Sequence, residues 1–341
     1  MSPPEKAQLP ENPPPDAGQG VGGDRAGAEA VPRHDQISPR TQRLLKIATA
    51  ASVSAALILI AFKGVAWFMT GSVSVLSALI DSIMDAAASL VTLFAVRAAL
   101  VPADLEHRFG HGKAEPLAAL AQAAFVAGSS LYLVVEVVDR FVHPKTIANE
   151  MLGVGVMVFS IVVTLALVAL QTYVVRQTNS VAISADSLHY KGDVLIHGSV
   201  IVSLLLSTRP GFGLADPLIG IGIAAYLFWN VWRIVRASLD SLMDRELDQA
   251  DRARIIDIAM AHPEVCDIHD LRTRQAGQRA FIQFHLELPK DISLMRAHVI
   301  SDEVEARVRA AFPGGGVIIH QDPEGIMEHR ATFVGEDKDE D

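Results

Sequence analysis

One cysteine, Cys266, occurs in 341 residues. That excludes an internal disulfide framework and any Cys-rich zinc finger. No basic patch interleaved with aromatics occurs, which argues against nucleic acid as a partner. The N-terminus lacks a basic stretch followed at once by an apolar core. No cleaved signal peptide is therefore expected, and the first spanning helix should serve as the insertion signal. Charge is also scarce relative to apolar residues, 20% against 50%, and a soluble chain of this length is not usually so apolar. The formal net charge of −10 averages regions of different kind. Residues 1–36 form a polar, Pro/Gly/Ala-rich leader, and 326–341 form a tail ending VGEDKDED. Neither holds enough apolar surface to fold alone, so both are expected to be disordered.

The apolar residues gather in six stretches, about 47–69, 73–96, 117–138, 151–175, 184–206 and 214–232. A spanning helix needs about 20 mostly apolar residues. These runs are too long for barrel strands and do not alternate, so the expectation is six transmembrane helices over 37–242. Turn signals part some of them, such as Thr70-Gly71-Ser72 and Arg209-Pro210-Gly211. Lys and Arg concentrate on one side: Arg40, Arg43 and Lys46, then Arg97, Arg108 and Lys113, then Arg176, then Arg233, Arg236 and Arg245. The opposite side has Arg140, Lys145 and Arg209. That bias predicts both termini in the cytoplasm.

Beyond residue 243 the pattern changes. DQADRARIIDIAMAH and SLMRAHVISDEVEARVRAAF have helical periodicity. CDIHDLRTRQAG, QRAFIQFHLELP and GGGVIIHQDP read as strands. The order αββαβ predicts a small α+β domain over 243–325, with its helices on one face of a three-stranded sheet, placed in the cytoplasm.

Ionisable groups inside spanning helices cost about 2.5–3.5 kcal/mol each on insertion scales. Asp81 and Asp85 lie four apart in the second stretch, His189 and Asp193 four apart in the fifth, so each pair shares a helix face. The second helix enters from outside and the fifth from the cytoplasm. At 1.5 Å per residue, Asp81 and Asp85 lie about 12 and 18 Å in, His189 and Asp193 about 10 and 16 Å in from the other side. In a core about 30 Å thick, Asp85 comes level with His189 and Asp81 with Asp193. Three carboxylates and one imidazole suit tetrahedral zinc. Four unrelated polar residues lining a wet cavity are the bland alternative, which leaves the matched depths unexplained. Lys63 and Glu136 are left to snorkel, pair with each other or face the interior. His197 and Asp216 are unexplained polar positions. The loop ADLEHRFGHGKAE offers Asp104, His107 and His111, which as residues alone fit either a metal site or a solvated loop.

The runs TGSVSVLSALIDSIMDAAASL, HRFGHGKAEPLAALAQ, ADSLHYKGDV, HDLRTRQAG and VIIHQDP, in this order, resemble the cation diffusion facilitators, closest to the bacterial iron/zinc efflux branch. The resemblance covers roughly residues 40–325. It implies a dimeric six-helix transporter with a ferredoxin- or metallochaperone-like cytoplasmic domain, exchanging Zn²⁺, or Cd²⁺ or Fe²⁺, for protons. Asp81, Asp85, His189 and Asp193 would be the transport site, and Asp104, His107 and His111 a second one. His269, His285, His320 and Asp322 would hold a two-metal cluster with His298 adjacent, whereas Cys266 reads as a small buried residue. A charge pair between Lys113 and Asp244 is implied, of the kind that holds helices together across the dimer. The His-rich loop of many vesicular zinc transporters is absent between the fourth and fifth helices, which points to a bacterial inner membrane. Two other classes compete. An intramembrane aspartyl protease needs two carboxylates sharing a proton, and HYKGD lacks the expected Gly-x-Gly-Asp context. A membrane-anchored metal sensor would leave charges at the bilayer centre without a purpose.

Overall fold

The computed structural model describes residues 37–71, 73–142, 151–206 and 215–326. The expected leader, most of the expected tail and the Arg209-Pro210-Gly211 turn lie outside the described residues. Six long helices come first: α1 (Pro39–Thr70), α2 (Val73–Ala99), α3 (Ala114–Val142), α4 (Met151–Thr178), α5 (Val181–Leu206) and α6 (Ala215–Leu242). The αββαβ unit follows as α7 (Gln249–Met260), β1 (Asp267–Ala276), β2 (Arg279–Leu288), α8 (Leu294–Ala311) and β3 (Gly316–Pro323).

Local chemistry sets the ends of α1. The Ser38 hydroxyl accepts from the Thr41 N–H at 3.1 Å, and Pro39 fills the first helical turn, where a missing N–H costs nothing. At the other end Gly71 takes φ +61 and returns its N–H to Trp67, a left-handed cap that glycine adopts without strain. α6 continues ten residues past the last apolar position of its stretch, to Leu242. Apolarity ends where lipid ends, whereas the helix runs on because Ile234 and Ser238 still face the bundle.

Among the described residues, five helices are long and apolar enough to cross a bilayer. α5 falls short among the described residues because it carries His189, Lys191, Asp193 and His197. Its deficit in hydropathy is therefore the mark of its chemistry. Contacts between helices use small residues: Ala119 and Ala123 of α3 and Ala185 of α5 pack with Leu188, Ile223 and Leu227. A Cβ on Gly220 would lie 2.4 Å from Val137, so glycine is required for α6 to approach α3 this closely. Such contacts replace hydrophobic expulsion as the cohesive force in lipid. Outward positions such as Leu57, Val65, Phe68, Phe94 and Tyr132 are apolar and exposed, as a lipid-facing surface requires.

In the α/β unit β2 is central, antiparallel to β1 and parallel to β3. Its residues Ile282, Phe284, Leu286 and Leu288 alternate into a core closed by Ala297, Ile300, Val304 and Val308 of α8 and Ile255 and Ala259 of α7. Each fully buried Leu, Ile, Val or Phe is worth about 1.5–3 kcal/mol. Alternation then forces His285 and Glu287 to the face that the helices leave bare.

Candidate metal centres

The intramembrane cluster joins α2 to α5. His189 Nε2 lies 2.9 Å from Asp85 Oδ1 and 3.9 Å from Asp193 Oδ2. Asp85 and His189 are 6% and 8% exposed. The three donor atoms lie within 4.8 Å of one another. Ligands at about 2.0–2.2 Å around a tetrahedral ion fall in such a span. The matched depth of Asp85 and His189 thus appears as a direct contact. Asp81 sits one turn further along α2 and is exposed, and it is not one of the three converging donors.

Two further charged groups are buried around this cluster. Lys63 of α1 is 2% exposed, and its ammonium donates to Ser82 Oγ at 2.7 Å and Ala78 O at 3.1 Å. Of the three open readings for Lys63, it takes the interior. Asp186 of α5 is fully buried, three residues before His189 on the same stripe. Asp186 is absent from the residues expected above, although it carries the signal that singled out its neighbours, an ionisable side chain at helical spacing from His189 and Asp193. His197 is half-buried, and the side chain of Asp216 lies outside the described residues.

The loop after α2 gathers its three expected residues. Asp104 Oδ1 accepts from the N–H groups of Glu106 and His107 at 3.0 and 2.6 Å. The imidazoles of His107 and His111 stand 3.5 and 3.4 Å from the Asp104 carboxylate, their ring centroids 4.4 Å apart. The His107 N–H above all holds the Asp104 carboxyl below its ordinary pKa. Asp104 and His107 are half-exposed, at 49% and 56%, so a cation here would keep part of its water. Next to this loop Lys113 meets Asp244 at 3.0 Å and Arg274 meets it at 3.4 Å, within one chain.

Strand pairing assembles the third cluster. His269 stands opposite His285, and His285 opposite His320. Two residues along on the same face, Asp267, Glu287 and Asp322 form a parallel row. Asp322 is buried and serves three imidazoles, with His285 Nδ1 at 2.7 Å, His320 Nε2 at 3.2 Å and His269 Nε2 at 3.4 Å. His269, His285 and Asp322 present donor atoms within 4.8 Å of one another, as do Asp267, His269 and Glu287. The buried Nδ1 of His269 makes no hydrogen bond and faces Glu287 Oε1 at 3.4 Å. An imidazole row against a carboxylate row, with a buried ring nitrogen that no hydrogen bond occupies, fits a zinc-type cation. His298 is not brought to this cluster within the chain. Position 298 turns away from the α8 stripe Ala297, Ile300, Val304 that faces the sheet, and its ring pairs with Asp302 at 3.4 Å instead. Cys266 is half-buried and free.

Comparison with known proteins covers both regions. The family profile described as Cation efflux transmembrane domain matches residues 49–243, and that of the Cation efflux protein, cytoplasmic domain, matches 247–324. The chain is similar to the cation-efflux pump FieF of Shewanella oneidensis, 49% identical over 279 residues that make up 82% of this chain and 94% of the relative. FieF of Yersinia pestis is 46% identical over 291 residues, 85% of this chain and 97% of the relative. A solved structure of the candidate zinc transporter CzrB in its zinc form is 35% identical, covering 25% of this chain and 99% of that one, with a TM-score of 0.24.

Proposed function

The chain belongs to the cation efflux family, whose members are membrane transporters and not enzymes, and on that premise we propose that it exports Zn²⁺ from the cytoplasm in exchange for protons. The observation that carries this reading is the buried meeting of Asp85, His189 and Asp193 between α2 and α5. Charged groups at that depth are costly unless used. One imidazole nitrogen among carboxylate oxygens favours zinc over harder cations, with Cd²⁺ and Fe²⁺ as further cargo. Asp81, a turn away, completes a four-donor set once a cation draws the helices together. The His189 nitrogen that meets Asp85 is also the one a metal would take. Metal and proton therefore compete for the same atoms, since zinc binds only deprotonated ligands. Alternating access turns that competition into exchange.

The remaining assignments follow from the same reading. Both termini lie in the cytoplasm of a bacterial cell, and the chain spans the inner membrane. The Asp104, His107 and His111 loop is a second, weaker site on the cytoplasmic side. His269, His285, His320 and Asp322 hold resident metal in the cytoplasmic domain, with His298 supplied across a homodimer. A protease would need two carboxylates sharing a proton, and Asp85 is paired with His189 instead. In proteoliposomes, Zn²⁺ uptake should follow an imposed proton gradient. Uptake that ignores the gradient would overturn the exchange, and absence of flux in folded protein would leave the sensor class standing.

A further inference from the structure

We propose that Asp186 is a positioning residue for transport, a latch that ties α1, α3 and α4 to α5 and closes the approach to the metal site from the α/β domain side. This rests on the export reading given above. The Asp186 carboxylate is fully buried. Its Oδ2 accepts from Ser52 Oγ of α1 and from Gln171 Nε2 of α4, each at 2.7 Å. Its Oδ1 accepts from Gln122 Nε2 of α3 at 3.0 Å. The same Gln122 Nε2 also lies 3.1 and 2.9 Å from Ala88 O and Thr92 Oγ1 of α2, so three acceptors share its two N–H groups. Three helices thus donate to a carboxylate carried by a fourth, and Gln122 extends the network to α2.

The two glutamines are turned for this purpose. Their carbonyl oxygens are buried without a hydrogen-bond partner. Turning either amide would aim its oxygen at the carboxylate, so each glutamine keeps its N–H side on Asp186 while its own carbonyl stays unbonded. A residue that only filled space would not impose that arrangement.

Position explains what the latch closes. The N-terminal ends of α3 and α5 and the C-terminal end of α6 share a cleft with the α/β domain, lined by Glu115, Val181, Asp240, Arg245 and Gln275. Asp186 is five residues from Val181, and His189 lies three further from the domain. Exposure rises in that direction, from 0% at Asp186 to 8% at His189, to 19% for the Asp193 side chain and to an exposed Asp81. The site is sealed on the domain side, and the Asp186 network is the polar part of the seal. A cation entering from the domain must pass this level, so these hydrogen bonds have to break in each cycle.

The test uses Ser89→Cys as reporter in a Cys266→Ser background. Ser89 is fully buried, one turn from Asp85 on the domain side. Its hydroxyl pairs with Tyr190 at 2.8 Å and also reaches toward the Asp186 carboxylate. The Ser89→Cys protein itself, with its own flux and labelling, is therefore the baseline for every comparison. A membrane-impermeant thiol reagent is applied to oriented vesicles from either side, with Zn²⁺ flux measured in parallel. Asp186→Asn sets a donor against one of the amides and should raise labelling from the domain side about tenfold, the shift expected from losing one buried hydrogen bond. Labelling from the opposite side should not change. Gln122→Met removes one arm while keeping the carboxylate, and it decides the matter if Asp186→Asn does not fold. Unchanged labelling in a folded variant, or an equal rise from both sides, overturns the latch. Failure of the export reading looks different: Zn²⁺ flux is then absent in the parent protein while the labelling contrast remains.

Discussion

The helical bundle and the α/β domain each bring imidazoles onto carboxylates, but by different means. In the bundle the donors come from two helices, at intervals of four residues, and meet only because α2 and α5 pack at the right depth. In the domain they come from three strands, and register alone aligns His269, His285 and His320. A helix-built site therefore depends on how helices sit against each other and can be opened by moving them. A sheet-built site is held by its backbone ladder and stays assembled. The first suits cargo that must be released, the second suits resident metal.

Removing one donor from the movable site should break the comparison most severely. Asp85→Ala deletes the carboxylate that faces His189 and should lower Zn²⁺ flux by about 100-fold or more, at or beyond the upper end of what losing a mere supporting partner costs. Circular dichroism should report an unchanged helical content. Wild-type flux from folded Asp85→Ala protein would refute the site. The corresponding change in the fixed site should act on affinity and stability instead. His285→Ala should weaken metal binding by the domain about 10- to 100-fold and remove the Zn²⁺-dependent gain in thermal stability, which amounts to about 2.7 kcal/mol when free metal is 100 times Kd. Flux should fall only a few-fold. Abolished flux would show that the two regions are one conduction path.

Preference among metals should respond to His189 alone. His189→Asp leaves an all-carboxylate set, which is harder and favours Mn²⁺ over Zn²⁺ by about tenfold relative to the native site. An added negative charge beside three others also makes the cluster hold protons more tightly. The pH optimum of zinc flux should therefore move upward. Competitive flux of Zn²⁺ and Mn²⁺ at several pH values measures both effects, and an unchanged ratio with an unchanged profile removes His189 from the coordination sphere.

Legibility in the sequence followed the periodicity of each region. Helical spacing reveals which residues share a face, so the Asp85–His189 level could be read from chain counts. It does not reveal which way the face turns, so the exposure of Asp81 could not. Asp186 was readable as an intramembrane charge but not as a hub, because Ser52, Gln122 and Gln171 come from helices far apart in the chain and carry no charge to mark them. Strand alternation placed His285 and Glu287 on the bare face. The fate of His298 depends on the rotation of α8, and the stripe Ala297, Ile300, Val304 contains that information once it is recognised as the packed side.

The smallest effect is expected where the two regions touch. Asp244 follows α6 and receives Lys113 at 3.0 Å and Arg274 at 3.4 Å. Its slight burial works against the charge, but the Lys113 hydrogen bond and charge, joined by Arg274, hold its carboxyl below the ordinary aspartate value. Its side chain is 41% exposed, so water screens the pair and the contribution is about 0.2–1 kcal/mol. Asp244 also has φ +58, a backbone that Asn adopts readily and Ala does not. Asp244→Asn therefore removes the charge without straining the chain. A carboxyl whose folded pKa is depressed stabilises the fold above its unfolded value, near 3.9, and loses that contribution as pH falls through the lower, folded value. The wild-type advantage in thermal unfolding should be present at pH 7, begin to decline as pH falls below about 3.9 and vanish only below the lower, folded value. It should also shrink in 1 M salt, where the screening length is about 3 Å. An advantage that persisted at low pH and high salt would mean that packing, and not the Lys113 and Arg274 charges, joins the bundle to the domain here.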